Sequence, residues 1–165
     1  MTNIVLIGMA GAGKSTLGVL LAKTLGLSYV DTDLLIQERE GALLQNIIDS
    51  HGMDYFMNLE GTVCKELIVQ KSVIATGGSV VLSQSAMESL KKDGTVIYLK
   101  VPYEEIKRRL SNITTRGIIF KEGQSLRNVY DERVRLYEKY ADKIVEFGRC
   151  DLEDSISLLI KNLNM

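Results

Sequence analysis

The stretch Gly8-Met9-Ala10-Gly11-Ala12-Gly13-Lys14-Ser15-Thr16 carries the spacing G-x-x-x-x-G-K-[ST] from Gly8 to Ser15. Small residues at these positions let backbone N–H groups curl round an anion while a helix N-terminus points at it, so the chemistry is phosphate binding. The expected nucleotide contacts are Gly11, Ala12, Gly13, Lys14, Ser15 and Thr16. Lys14 would reach the terminal phosphates, and the Ser15 hydroxyl would ligate a magnesium ion that neutralises them.

Further along stand other groups able to take part in phosphoryl transfer. In Asp31-Thr32-Asp33 one carboxylate would cap the following helix in any protein. Beside a phosphate loop, one is also needed on the metal side and another to accept or orient the proton of an attacking hydroxyl. Asp31 is assigned to the metal and Asp33 to the substrate hydroxyl. Thr76-Gly77-Gly78-Ser79 reads as a turn whose glycines also let a substrate lie against bare backbone. Arg116 is a cation suited to stabilising the transferred phosphate. Arg109 suits stacking on a base and Arg133 gripping an anion, although each alone is more often a helix surface residue. His51 reads as exposed near a helix end, and Tyr130, Tyr137 and Tyr140 as packing.

These residues need a scaffold, and short β-rich runs alternating with helical patterns predict an α/β fold with a mostly parallel sheet. The five expected strands are Asn3–Ile7, Ser28–Val30, Ser72–Ala75, Thr95–Leu99 and Lys143–Val145. Ligands gather at strand C-terminal ends in such sheets, which is where the candidate residues fall. Leu17, Leu20, Leu21, Thr24 and Leu25 recur at helical spacing after the glycines. An insertion of about 40 residues before the third strand is too long for a simple crossover. Within it Leu34, Leu35, Leu44, Ile47, Ile48, Phe56, Leu59 and Val63 suggest three helices. Pro102 would open a helix bearing Ile106 and Leu110. Residues 112–124 lose periodicity and carry Gly117 and Gly123, as a lid over a site would. Helices are expected from Ser125 to Tyr140 and, with Asp151 as N-cap, from Leu152 to Leu163.

The 165 residues are 45% hydrophobic and carry 20 basic against 21 acidic side chains, a formal charge of −1. That is enough for one core, so a single domain over 1–165 is expected, with the helical insertion at about 32–70. The mixed charges announce no nucleic-acid or membrane face, so the partners should be small molecules. A monomer is expected, although the charge pattern does not decide oligomeric state. Cys64 and Cys150 are too few for a metal cage or disulfide framework. No basic leader precedes the phosphate loop and no apolar run nears about 18 residues, so the expected location is cytoplasmic.

Taken together, GMAGAGKST, the D-x-D after the second strand, Phe56 with Glu60, ATGG after the third strand, Arg116, and Arg133-x-x-x-Tyr137 resemble shikimate kinase, in order over nearly the whole chain. The resemblance implies a three-layer P-loop kinase fold of the nucleoside-monophosphate-kinase-like type, with a five-stranded parallel sheet, a helical substrate-binding insertion and a lid. It implies transfer of the ATP γ-phosphate to the 3-hydroxyl of shikimate with Mg2+. Carried over by position, Asp33, Glu60, Gly77, Gly78, Ser79 and Arg133 face the acceptor, Arg109 lies on the adenine, and Arg116 bridges phosphate and substrate. Arg149 to Leu152 is similar to the family's adenine loop.

Three positions depart from that pattern: Met57 stands where the family has an Arg that helps bind the acceptor carboxylate, Ser79 replaces a third glycine, and Arg116-Gly117 replaces Arg-Pro. A neutral thioether cannot pair with an anion, and losing such a contact costs about 2–5 kcal/mol of binding. Either Arg133 or Arg135 holds the carboxylate alone, or the acceptor is another hydroxylated metabolite such as a hydroxy-amino acid or sugar acid. The first is favoured because four acceptor-side positions still match. A nucleotide-binding regulatory module is the other alternative, but it would need neither Asp33 nor Arg116. A guanine-nucleotide switch lacks its N-K-x-D segment.

Overall fold

Asn3–Ile7 (β1) is buried at every position, which is why its sequence runs apolar without alternation: both faces of the strand are covered. In the computed structural model, which describes residues 2–111, 123–149 and 151–163, β1 is the central strand of a five-stranded sheet. The other strands are Ser28–Asp31 (β2), Ser72–Ala75 (β3), Gly94–Lys100 (β4) and Lys143–Glu146 (β5), in the order β2-β3-β1-β4-β5. Every pairing is parallel, with Leu6 opposite Ala75 on one side and Ile97 on the other. The fold is α/β, and all five strands fall on the expected segments to within two residues. The alignment of β1 with β3 sets the segments after Ile7 and Ala75 side by side. There Thr76 clasps Leu6 through its N–H (3.2 Å) and its Oγ1 (2.9 Å), both donating to the Leu6 carbonyl.

The helices are Lys14–Leu25 (α1), Thr32–Glu40 (α2), Leu44–His51 (α3), Met53–Glu66 (α4), Gln84–Lys92 (α5), Tyr103–Ser111 (α6), Leu126–Tyr140 (α7) and Leu152–Leu163 (α8). On α1 the buried stripe is Leu17, Gly18, Leu21 and Ala22, while Thr24 is exposed. Gly18 is there because a Cβ would fall 2.8 Å from the ring of Tyr29. The insertion holds the three expected helices around their own apolar cluster of Ile36, Ile47, Phe56, Leu59 and Val63. Leu34 faces solvent and Ile36 takes its expected inward role, because the cap at Asp31 sets the rotation of α2. Pro102 lies one residue before α6 and accepts from the Ile106 N–H at 3.0 Å. Asp151 caps α8 through the Asp154 N–H at 2.8 Å. No helix among the described residues is long and apolar enough to cross a membrane. The lid expected at 112–124, with Arg116 and Gly117, lies outside the described residues except for Gly123 and Gln124, as does Cys150.

Candidate active site

From β1 the chain turns through Gly8, Gly11 and Gly13, whose φ angles of 149°, 80° and 90° are strained for any side chain. Gly8 also lacks room, since a Cβ would sit 2.8 Å from the Leu99 carbonyl oxygen. No side chain caps the N-terminus of α1, so its first turn is a ready anion site. Lys14 is buried, and its Nζ donates 2.7 Å bonds to the carbonyls of Gly8 and Met9. Ala12 turns its methyl inward and donates its N–H to Met9 O at 3.1 Å, while Thr16 is exposed on the first turn.

Asp31, at the end of β2, does both things the sequence left as alternatives. Its Oδ1 caps α2 by accepting from the Asp33 N–H at 3.0 Å, and its Oδ2 accepts from Ser15 Oγ at 2.7 Å and from the Tyr29 hydroxyl at 3.0 Å. Burial and the Asp31 charge push the Tyr29 phenol well above its ordinary value, so it stays a donor. Ser15 and Asp31 form a hard-oxygen pair that suits magnesium. Among the described residues no three His, Cys, Asp or Glu side chains gather round one point.

Two carboxylates converge on the turn after β3, where the sequence placed the acceptor. A Cβ on Gly77 would fall inside the Glu60 carboxylate and 3.1 Å from Asp33 Oδ1. The bare backbone expected to receive a substrate is thus filled at Gly77 by the chain's own Glu60. Glu60, from the inner face of α4, is 1% exposed. Its Oε1 accepts from Ser79 Oγ at 2.6 Å. Burial pushes its carboxyl group up to about 7, assisted by the Asp33 charge and opposed by Ser79, Arg133 and Lys14.

Arg133, for which the sequence offered an anion grip or a place on the helix surface, is 6% exposed. Tyr137, one turn on, is fully buried, stacks on Tyr98 at 5.0 Å, hydrogen-bonds Arg133 and donates to the Gly78 carbonyl at 2.5 Å. It packs as expected and also props the arginine, a role that its i, i+4 spacing from Arg133 could have signalled. Arg135 is exposed. Arg133 lines a cavity of about 190 Å³ with Met53, Met57, Leu82, Gln124, Val129 and Glu132.

At the phosphate loop's outer edge Arg109 donates to the Gly11 carbonyl at 3.0 Å and to Glu105 Oε1 at 2.9 Å. Arg149 lies 4.0 Å from the same carboxylate, so Glu105, unmarked in the sequence, gathers both cations expected at the base. Arg108 and Arg109 hold its carboxyl well below the usual range. The site therefore has a glycine-rich loop with a buried lysine, a carboxylate bonded to Ser15, a pair of carboxylates at Gly77, and a cationic pocket. Arg116 lies outside the described residues.

The family model described as shikimate kinase matches residues 10–163. A shikimate kinase of Caldanaerobacter subterraneus is 35% identical over 164 residues, covering 98% of this chain and 95% of its own. One from Clostridium botulinum strain Eklund 17B is 38% identical over 147 residues, 88% of each chain. Among solved structures, shikimate kinase from Acinetobacter baumannii in complex with shikimate superposes with a TM-score of 0.91 at 31% identity, covering 99% of this chain and 93% of that one. The Aquifex aeolicus shikimate kinase gives 0.83, also at 31% identity, over 98% and 96%.

Proposed function

The chain belongs to the shikimate kinase family, an ATP-dependent phosphotransferase family, and on that premise we propose how its own residues carry out the transfer and hold the acceptor. One observation carries the proposal: a Cβ on Gly78 would lie 3.2 Å from the Ala10 nitrogen and 3.5 Å from Arg133 Nη1. The phosphate loop and the acceptor-side cation meet across one bare backbone position, so donor and acceptor can touch with no protein between them.

The first-turn N–H groups of α1 and the Lys14 ammonium hold the terminal phosphates and meet the charge that grows in the transition state. Lys14 exchanges its carbonyl partners at Gly8 and Met9 for phosphate oxygens. Ser15 and Asp31 would hold magnesium, which supplies charge neutralisation when bound. Asp33 takes the proton of the acceptor's 3-hydroxyl; that oxygen bonds to the γ-phosphorus as the bond to the bridging oxygen breaks, and the electron pair leaves with ADP. Arg133, braced by Tyr137, holds the shikimate carboxylate, and the exposed Arg135 is left out of that role. Arg109 lies on the adenine with Glu105 as its anchor, and Arg116 contributes a bridging charge by resemblance.

A coupled ADP-release assay across shikimate and other small hydroxy acids tests this. Shikimate should be turned over well above background ATP hydrolysis, and turnover at background would reject it as the acceptor. Asp33→Asn should keep ATP affinity and lower kcat by about 10²–10⁴-fold. Equal loss of binding and turnover would instead give Asp33 a structural role.

A further inference from the structure

Glu60 is surrounded by groups from four helices and the turn after β3. Facing it are Asp33 from α2, Lys14 from α1, Cys64 one turn further along α4, Arg133 and Tyr137 from α7, and Ser79. Burial keeps the Cys64 thiol and the Tyr137 phenol in their neutral, protonated forms. The charges acting on Glu60 therefore come from Asp33 on one side and from Lys14 and Arg133 on the other. Both cations are the ones that engage substrate anions, Lys14 the nucleotide phosphates and Arg133 the acceptor carboxylate.

We propose that substrate binding in this chain is coupled to proton uptake by Glu60, with Ser79 as the positioning residue that holds its carboxyl group against Gly77. The coupling rests on the proposed roles of Lys14 and Arg133 in binding the two substrates. When a phosphate engages Lys14 and a carboxylate engages Arg133, the positive charges that favour ionised Glu60 are neutralised, while Asp33 stays beside it. A buried carboxylate loses its support and takes a proton from solvent. Met57, one turn of α4 before Glu60 and facing the same acceptor cavity, adds no cation to resist this. Ser79 works in the opposite direction, since its 2.6 Å hydrogen bond favours the ionised form. It is a hydroxyl in the position where the resembling family has a glycine. Burial and Asp33 on one side, and Ser79, Arg133 and Lys14 on the other, leave Glu60 poised near neutrality.

The test is carboxyl-carbon NMR of protein labelled at glutamate, titrated alone, with Mg·ADP, and with Mg·ADP plus shikimate. One glutamate should titrate near pH 7, disappear in Glu60→Gln, and move up by about one pH unit in Ser79→Ala, with Ser79→Thr restoring it. Mg·ADP should raise that titration, and shikimate should raise it further. Every glutamate titrating in the ordinary range, or a Glu60 titration unmoved by Mg·ADP, overturns the proposal. Shikimate that perturbs other resonances but leaves Glu60 unmoved overturns the acceptor half of the coupling and leaves the acceptor assignment standing. Shikimate that perturbs nothing rejects the acceptor assignment, and the Mg·ADP arm then still decides the coupling through Lys14. If Glu60→Gln does not fold, the Ser79 variants make the assignment.

Discussion

Ser15 Oγ donates a 2.7 Å hydrogen bond to Oδ2 of Asp31, while the other oxygen of that carboxylate caps α2. One side chain from the end of β2 therefore ties the glycine-rich loop to the first helix of the insertion.

The two roles of Asp31 can be separated. Asn caps a helix as well as Asp but offers Ser15 and Tyr29 an amide NH2 in place of an accepting oxygen. Asp31→Asn should therefore lower the urea midpoint only part of the way, whereas Asp31→Ala loses the cap and both hydroxyl partners, about 1–3 kcal/mol. Both should weaken nucleotide binding with magnesium and neither should weaken it in EDTA. Calorimetry with and without the metal checks this, and equal weakening in both conditions would remove Asp31 from the metal.

Gly77→Ala should be among the more damaging small substitutions. Its methyl group would enter the Glu60 carboxylate, and the forced shift should cost about 1–3 kcal/mol by urea denaturation together with acceptor affinity. Gly148→Ala, where a Cβ meets nothing within 4 Å, should stay within about 0.5 kcal/mol of the parent.

Met57→Arg adds a second cation to the cavity that already holds Arg133. The KM for shikimate should fall by about tenfold or more with kcat little changed, since one tenfold step corresponds to about 1.4 kcal/mol. Arg133→Met should do the reverse and raise KM steeply. An unchanged KM in Met57→Arg would move the acceptor carboxylate away from this wall.

The raised carboxyl of Glu60 makes stability pH-dependent in a stated direction. The folded protein holds its proton up to about 7 against an ordinary value of 4.5. Its contribution is therefore complete below the unfolded pKa and is lost as pH rises through the folded one. The loss is about 3 kcal/mol at most. Urea denaturation at pH 5 and pH 8.5 should show the parent losing stability relative to Glu60→Gln across that interval, and parallel curves would contradict it.

Much of the architecture is legible locally. The apolar run of β1, the glycines before Lys14 and the cap at Asp151 each specify their element through neighbours a few residues away, so strand positions and the three insertion helices can be read directly. Leu34 and Ile36 are harder, because the sequence shows a helical stripe but not its rotation, which follows from where Asp31 starts the helix. For Arg133 the sequence offered two readings, an anion grip and a helix surface residue, and the structure buries it. Its burial depends on Tyr137, whose i, i+4 spacing is visible in the sequence, and on Gly78 and the cavity wall, which neither charge nor spacing reveals.

By itself the sequence determined that a glycine-rich turn joins the first strand to the first helix, that carboxylates follow the second strand, and that the chain resembles one kinase family, because these rest on short-range spacing and order along the chain. Only the tertiary structure decided that Glu60 lies against Gly77, that Ser79 hydrogen-bonds it, and that Arg133 meets the phosphate loop across Gly78. The reason is physical: desolvation and charge coupling sum over groups distant in sequence, and those sums exist only once β3, α4 and α7 are packed together.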